Sequence, residues 1–206
     1  MTRLIAISAT VILAVLLGGI WIATWFRSSD DQFSSCRNSA IAGGTGQIGG
    51  PFELVNSDGT TVTDRDVLTD PSLVYFGYTF CPDVCPLDLA RNAETIDVLD
   101  EHGYNVTPVF ISIDPQRDTP EVVGEYAYNL HERMIGLTGT PEQVKLASKA
   151  YKTYYKAHPT GDEYYLVDHS TFSYLMLPGH GFVEFFKRDT SPEKMANRIE
   201  CFLDNA

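Results

Sequence analysis

Two cysteines lie four positions apart in the stretch YTFCPDVCPLDL, residues 78–89, and each is followed directly by proline. Thiols this close could form a catalytic disulfide, bind a soft metal ion or staple a loop. Cys81 follows an apolar run, and Cys85 stands where a helix is predicted to begin, with Pro86 near its first position. A helix N-terminus favours thiolate through its dipole and its unpaired N–H groups. The position therefore predicts reactive sulfur.

The spacing of the two cysteines favours a metal site over a disulfide exchanger. Residues four apart in a regular helix have Cβ atoms about 5–6 Å apart, whereas a disulfide needs about 3.8 Å. Oxidation of the pair would require a loosened first turn, which Pro82 permits by supplying a non-helical start. Two thiolates that share one metal tolerate the wider separation. A purely structural disulfide would leave the flanking prolines without a role.

Copper is a metal that such a pair could hold, and a histidine is the third ligand to look for. Copper(I) takes thiolates readily, and imidazole suits copper in either oxidation state. His169 lies in the segment VDHST, at a short polar break within an apolar stretch, and is the best candidate. The other four histidines are expected near helix ends or in surface loops: His102, His131, His158 and His180.

The elements that must position these residues alternate between strand and helix. FELVNSDGTTVT is typical of two short strands about a Ser-Asp-Gly turn, and SLVYFGYT of a strand buried on both faces. A helix is predicted from Pro86 to about His102, where Gly103 stops it, and VTPVFISID is a second buried strand. Strands are expected again in YYLVDHSTFSYLMLPGHGFVEFF, residues 164–186.

Three further helices are each marked by a hydroxyl residue, a proline and a glutamate. The hydroxyl can cap orphan N–H groups, the proline suits the first helical position, and the acid favours the positive end of the dipole. Gln143 would complete a capping box in the second of them. The three expected caps are Thr119, Thr140 and Ser191.

This order of elements predicts an α/β, thioredoxin-like fold with an N-terminal β-hairpin extension, over residues 51–206. In such a plan a strand ends in the cysteine pair, the pair opens a helix, and a terminal hairpin and helix complete the domain. The loop that carries His169 then returns beside the start of the cysteine-bearing helix.

The N-terminal segment predicts a membrane anchor over residues 1–27. Residues 4–26 carry no formal charge between Arg3 and Arg27, and as a helix they would measure about 34 Å, enough to cross a bilayer core of about 30 Å. A cleaved secretory signal is the alternative, but its apolar core usually spans only about 7–15 residues. Residues 28–50, rich in serine and glycine, are expected to form a tether.

The anchor and the charge bear on where the protein works. The tail with Arg3 is expected on the cytoplasmic side, so the domain would face the periplasm from a bacterial inner membrane, in single-pass topology, or the equivalent mitochondrial compartment. The formal net charge of −12 argues against a nucleic-acid partner. Outside the cytosol free thiols tend to oxidise, so Cys36 and Cys201 are expected to pair; two free, buried thiols are the alternative.

Four ordered motifs carry a resemblance to a known family. YFGYTFCPDVCPLDL, VFISIDPQRDTPE, GLTGT and YLVDHSTFSYLMLP closely resemble the Sco/SenC family of membrane-anchored copper proteins, over about residues 48–203. The resemblance implies that one copper ion is bound by Cys81, Cys85 and His169. It also implies assistance in assembling the binuclear copper (CuA) centre of cytochrome c oxidase, with the copper-centre subunit and a copper donor protein as partners.

A second function is compatible with the same residues. A thiol–disulfide oxidoreductase with Cys81 and Cys85 as its catalytic pair could keep the copper-ligating cysteines of the oxidase reduced. The C-x-x-x-C spacing and His169 argue against it, because disulfide exchange needs neither. A peroxidase or redox sensor would rest on fold analogy alone.

Several neighbours of the predicted site have less specific roles. Asp168 could tune the site or simply end a strand, and Asp83 could add charge near the metal or cap the first turn. Met176 is expected in the core. The remaining candidates are Asp114, Arg117 and Asp118, expected to order a loop by salt bridges or to dock a partner, and Tyr78 and Phe80, which could screen copper from water.

Overall fold

The computed structural model describes residues 2–27, 32–37, 48–159, 161 and 164–206. The chain divides into two compact units, Met1–Ser35 and Cys36–Ala206. The second unit contains both cysteines of the motif and all five histidines. It therefore holds every residue predicted to bind a metal.

The first unit contains one helix, α1, over Thr2–Arg27. In the part of the chain that the structure describes, no helix meets the length and apolarity needed to cross a membrane. The anchor expected over residues 1–27 stays a prediction. The tether expected over residues 28–50 falls mostly on residues 28–31 and 38–47, which lie outside the described residues.

The second unit is built on a seven-stranded sheet with the order β2-β1-β5-β4-β3-β8-β9. The three central strands β3, β4 and β5 run parallel, while β1 and β8 flank them in antiparallel pairing. The elements are β1 Glu53–Asn56, β2 Thr61–Thr63, α2 Asp64–Val67, β3 Ser72–Gly77, α3 Val84–Glu101, β4 Thr107–Ser112, α4 Pro120–Leu130, β5 Ile135–Thr138, α5 Pro141–Ala150, β6 Tyr155–His158, β7 Leu166–His169, β8 Ser173–Leu177, β9 Gly181–Phe186 and α6 Pro192–Asp204.

The arrangement confirms the α/β, thioredoxin-like fold with its N-terminal hairpin β1–β2. All six residues of β3 are buried, as a continuous apolar run in the centre of a parallel sheet requires. Strand β4 is buried at five of its six positions. The cysteine motif follows β3 directly, so the rigid centre of the sheet positions the first turn of α3.

The predicted caps are confirmed at all three helices that begin with proline. The hydroxyls of Thr119, Thr140 and Ser191 each accept a hydrogen bond from the backbone N–H three residues later. Gln143 completes the capping box of α5, since its side chain accepts from the Thr140 N–H at 2.8 Å. These signals are local in sequence, which is why the sequence alone was enough to find them.

Helix α3 begins at Val84, two residues before the predicted start at Pro86. Pro86 is then the third helical residue, where an N–H has no partner within the helix and a proline costs no hydrogen bond. Three short elements were not predicted: α2, β5 and β6. Each has only four residues, so no periodic pattern can develop.

Cys36 and Cys201 form a disulfide with their Cα atoms 5.6 Å apart, which confirms the expected pairing. It joins the start of the second unit to helix α6. The only two free cysteines among the described residues are Cys81 and Cys85. Two of the four cysteines therefore form a structural disulfide, and the other two are reduced.

Strands β6 and β7 form a separate two-stranded antiparallel sheet, here called the histidine hairpin, Tyr155–His169. Within the described residues no strand ladder connects this hairpin to the seven-stranded sheet. His169 is the last residue of β7. The predicted histidine ligand thus lies on the two-stranded sheet, whereas Cys81 follows strand β3 of the seven-stranded sheet and Cys85 lies in the first turn of α3.

Candidate metal centre

The sulfur of Cys81 lies at the start of α3 and takes the place of a side-chain cap. Asp83 occupies the N-cap position, but its side chain makes no capping hydrogen bond. The backbone N–H of Cys85 donates instead to Cys81 Sγ, over 3.4 Å. Of the two roles considered for Asp83, the cap on the first turn is therefore wrong, because the Cys81 sulfur accepts from this end of the helix instead.

Cys85 is fully buried in the first turn of α3, with its sulfur against strand β3. Gly77 permits this approach: a Cβ at that position would lie 3.0 Å from Cys85 Sγ and 2.9 Å from the ring of Tyr75. Tyr75 in turn donates from its hydroxyl to Asp88 at 3.0 Å. The glycine that ends β3 therefore makes room for the second sulfur.

His169 approaches the cysteines with a defined tautomer. Its Nδ1 lies 2.8 Å from the carbonyl oxygen of Ser170, which can only accept, so Nδ1 carries the proton. Nε2 then keeps a free lone pair, and it lies 3.2 Å from Cys85 Sγ. The rings of Tyr78 and Tyr75 meet the imidazole edge to face, with centroids 5.8 and 6.3 Å away. The unprotonated nitrogen is thus aimed at the sulfurs.

The ligand atoms of Cys81, Cys85 and His169 all lie within 4.8 Å of one another. Both cysteines are buried and the histidine is half-buried. Two sulfurs and one imidazole nitrogen form a donor set that suits a soft ion such as copper(I). The fold thus brings together the three residues that the sequence predicted as ligands.

The two thiols have opposite acidities. The pKa of Cys81 is lowered to about 3, chiefly because the Cys85 thiol donates a hydrogen bond to its sulfur, and burial opposes this only in part. The same hydrogen bond, together with burial, raises the pKa of Cys85 above its ordinary value. At neutral pH the pair is therefore one thiolate and one thiol.

The other residues predicted to lie near the metal site differ in their burial and contacts. Burial raises the pKa of Tyr78 to about 12, so the phenol beside the imidazole stays neutral. Phe80 is 40% exposed and cannot screen the site from water fully. Met176 lies in the core, as predicted. Asp168 is exposed and pairs with His158 Nε2 at 2.7 Å.

The remaining histidines lie apart from the cysteines. His102 pairs with Glu200 at 2.6 Å, and His180 lies in the turn between β8 and β9. His131 forms a second group with Asp97 and Asp100, but there the guanidinium of Arg133 already binds Asp100. His131 Nδ1 also accepts from the Arg133 N–H at 3.1 Å, which leaves the proton on the nitrogen that faces the carboxylates.

The loop after β4 contains one expected salt bridge and a set of hydrogen bonds to Asp118. Arg117 Nε donates to Asp114 at 2.5 Å, as predicted. Asp118 makes no ion pair among the contacts that the structure describes; it accepts from the Thr79 N–H and hydroxyl at 3.1 and 2.5 Å and from the Ser112 hydroxyl at 2.5 Å. Thr79 and Ser112 could not be predicted as partners of Asp118, because neither hydroxyl lies in a local motif.

An open pocket of about 450 Å³ lies beside the cysteine loop. Phe80 and Pro82 form one wall and Tyr164, Tyr165 and Leu166 another. Tyr164 and Leu166 are largely exposed, at 77% and 58%. The pocket beside the cysteine loop is therefore mainly apolar, although Arg117, His158 and Asp168 also line it.

Comparison with known proteins gives matches over most of the chain. The SCO1/SenC family model matches residues 42–204. Protein SenC from Rhodobacter capsulatus is 51% identical over 199 residues, which cover 97% of this chain and 90% of that protein.

Two solved structures also match. Arabidopsis thaliana ScoI with copper bound matches with a TM-score of 0.73 and 41% identity, over 76% of this chain and 99% of that one. Yeast Sco1 with copper bound matches with a TM-score of 0.73 and 36% identity, over 78% and 90%. The chain belongs to the SCO1/SenC family.

Proposed function

We propose that this protein binds one copper ion through Cys81, Cys85 and His169 and delivers it to the CuA centre of cytochrome c oxidase. The observation that carries the proposal is the cluster of two sulfurs and one imidazole nitrogen within 4.8 Å. Both sulfurs are reduced, and the free lone pair of the imidazole faces one of them at 3.2 Å. Copper is the cargo, and these three side chains are its carriers.

The arrangement suits a carrier because the ligands lie on two separate elements. The cysteines are fixed on the first turn of α3 beside the central strand β3, whereas His169 lies on a separate hairpin. Three protein ligands leave room for a donor atom of an acceptor to enter before the original ligands leave. Oxidation of Cys81 and Cys85 to a disulfide would remove both sulfur ligands, so the thiol state of the pair would control copper retention.

Relatives support the choice of metal and acceptor. The two solved relatives that match at 41% and 36% identity hold copper. The family resemblance implies the oxidase copper-centre subunit as acceptor and a separate protein as copper donor. An N-terminal anchor over residues 1–27, with the domain in the periplasm or its mitochondrial equivalent, would raise the effective concentration at a membrane-embedded oxidase.

The asymmetry of the thiols favours a second candidate function, reduction of the oxidase's own copper-ligating cysteines. The Cys81 thiolate would attack a disulfide of the oxidase and form a mixed disulfide, with one oxidase thiolate released. Cys85 would then lose its proton and attack Cys81, forming the Cys81–Cys85 disulfide and releasing the second thiolate. The low pKa of Cys81 suits the first step. The burial of Cys85 disfavours the second.

The variant His169→Ala separates the two functions. We expect it to lose tight copper binding while leaving thiol exchange at Cys81 and Cys85 largely intact, because the hydrogen bond from Cys85, and not the one from His169, is the main cause of the low pKa of Cys81. The control His158→Ala removes an exposed histidine of the same hairpin, whose Nε2 lies 2.7 Å from Asp168. If oxidase maturation survives His169→Ala but is lost in Cys81→Ala, reduction rather than copper delivery is the function.

A further inference from the structure

The position of His169 relative to the cysteines is not set by the main sheet. The histidine hairpin is a sheet of its own, and among the described strands none pairs with it from outside. Val167 packs into the core, but its neighbours in β7 alternate towards solvent. Other contacts must therefore fix where the imidazole lies.

Tyr165, directly before β7, supplies the strongest of these contacts. Its hydroxyl donates to Asp114 Oδ1 at 2.6 Å, and the guanidinium carbon of Arg117 lies 3.6 Å from the centre of its ring. Arg117 Nε also donates to Asp114 Oδ2 at 2.5 Å, which closes a three-residue assembly. Asp114 is only 3% exposed. The buried carboxylate of Asp114 thus accepts from the Tyr165 hydroxyl, and the Arg117 guanidinium packs on the face of the same ring. Both contacts hold the residue that directly precedes β7.

The same loop holds the segment that carries the cysteines. Asp118, 1% exposed, accepts from both the N–H and the hydroxyl of Thr79, two residues before Cys81. The Arg117 guanidinium also lies 4.8 Å from the ring centre of Phe80. The loop after β4 is therefore bonded on one side to the cysteine segment and on the other to the histidine hairpin.

We infer that Asp114, Arg117 and Tyr165 form a positioning assembly that fixes His169 against the cysteine pair and so sets how tightly copper is held. The inference rests on the proposed function, because it concerns the same metal site. None of the three residues is a ligand; each acts through the hairpin. Charge-assisted hydrogen bonds within buried networks are stronger and more directional than exposed ones, as such a role requires.

A further hydrogen bond joins the histidine hairpin to the cysteine segment. The Val167 N–H donates to the hydroxyl of Tyr78 at 3.3 Å, which ties the middle of β7 to the cysteine segment. This bond is longer and uncharged, so it holds the hairpin less firmly. Loss of the Tyr165 bond should loosen the hairpin without unfolding it.

The test variant is Tyr165→Phe in the full chain, which keeps the ring under Arg117 and removes the hydroxyl that donates to Asp114. The control is Tyr154→Phe, which removes the same atom from an exposed tyrosine that precedes β6. We expect the copper(I) dissociation constant to rise about tenfold in Tyr165→Phe, because a hydrogen bond to a charged, buried carboxylate is lost. The control should bind as the wild type does.

A double-mutant cycle separates positioning from general destabilisation. If the assembly acts through the imidazole, Tyr165→Phe added to His169→Ala should not weaken copper binding further. X-ray absorption of the copper-loaded Tyr165→Phe variant should show the nitrogen contribution reduced and both sulfurs retained. Arg117→Lys, which keeps the charge and loses the planar stacking, should have an effect in the same direction.

Three results would overturn the inference. Unchanged affinity and an unchanged nitrogen contribution in both Tyr165→Phe and Arg117→Lys would show that the assembly does not position His169. An equal loss in the presence and absence of His169 would show that it acts on the fold in general. A wild-type chain that binds no copper through an imidazole would overturn the proposed function as well, so the two failures are distinguishable.

Discussion

His169 Nε2 lies 3.2 Å from Cys85 Sγ, although His169 ends strand β7 and Cys85 lies in the first turn of α3, 84 positions earlier in the chain. The imidazole is oriented by its own neighbour, since Nδ1 donates to the Ser170 carbonyl at 2.8 Å. Such outer hydrogen bonds fix the tautomer and ring orientation of a metal-ligating histidine. The three side chains are thus arranged for a metal that both sulfurs can share.

The acidity of Cys81 predicts how the thiols react with an alkylating reagent. With a pKa of about 3, Cys81 is a thiolate throughout pH 5–8, so its iodoacetamide alkylation rate should hardly change over that range. Cys85, whose pKa is raised, should react slowly. Peptide mass spectrometry after timed alkylation measures both rates.

The variant Cys85→Ala supplies the control for that experiment. It removes the thiol that donates to Cys81, the largest cause of the lowered pKa. The pKa of Cys81 should then move up towards its ordinary value, and its alkylation rate should rise with pH. The same flat profile in this variant would contradict the hydrogen-bond explanation.

Copper binding should release close to one proton at pH 7. Cys81 is already deprotonated and His169 Nε2 already free, so only Cys85 must lose a proton to ligate the metal. Isothermal titration in buffers of different ionisation enthalpy gives the number of protons released. A value close to two would mean that Cys81 is a thiol in the apo protein.

Gly77→Ala should displace the Cys85 sulfur, because the new methyl group would project from strand β3 towards it. The new methyl group would lie 3.0 Å from Cys85 Sγ and 3.2 Å from the ring of Phe110, so the sulfur or the strand must move. Overpacking of this kind costs about 1–3 kcal/mol of unfolding free energy, and we expect copper affinity to fall with it. Denaturant unfolding and copper titration measure the two effects.

Gly19→Ala is the control for that substitution, because a Cβ there meets nothing within 4 Å. It should leave unfolding and copper binding of the second unit unchanged. If Gly77→Ala behaves like this control, the close approach of the Cys85 sulfur to β3 is not a requirement of the site.

Removal of the disulfide should affect stability but not the metal. The double variant Cys36→Ser with Cys201→Ser should lower the unfolding free energy by about 2–4 kcal/mol, because the bridge closes a long loop. The bridge involves none of the proposed ligands, so the copper dissociation constant should stay the same. A large loss of copper affinity at temperatures where the variant is folded would contradict this separation.

The parts of the structure that the sequence predicted well are those with local causes. Thr140 and Gln143 form a capping box within four consecutive residues, and β3 is a continuous apolar run. His169 could be singled out because it interrupts an apolar stretch. Strand β5 could not be predicted, since Ile135–Thr138 has only four residues and becomes a strand by pairing with β1 and β4.

The contacts that hold the site together have no local signature. Tyr165 and Asp114 are 51 positions apart, and Thr79 and Asp118 are 39 apart. A hydroxyl or a carboxylate in a loop suits a turn as well as it suits a buried network. Only the fold shows that one loop bonds to both ligand-bearing segments.

The most direct test of the copper site is X-ray absorption of the full chain, loaded with one equivalent of copper(I) with Cys81 and Cys85 reduced and the Cys36–Cys201 bridge intact. We predict two sulfur ligands and one imidazole nitrogen, with the nitrogen lost in His169→Ala and retained in His158→Ala. A spectrum without nitrogen, or one that is the same in His169→Ala, would contradict the proposal that these three residues carry the metal.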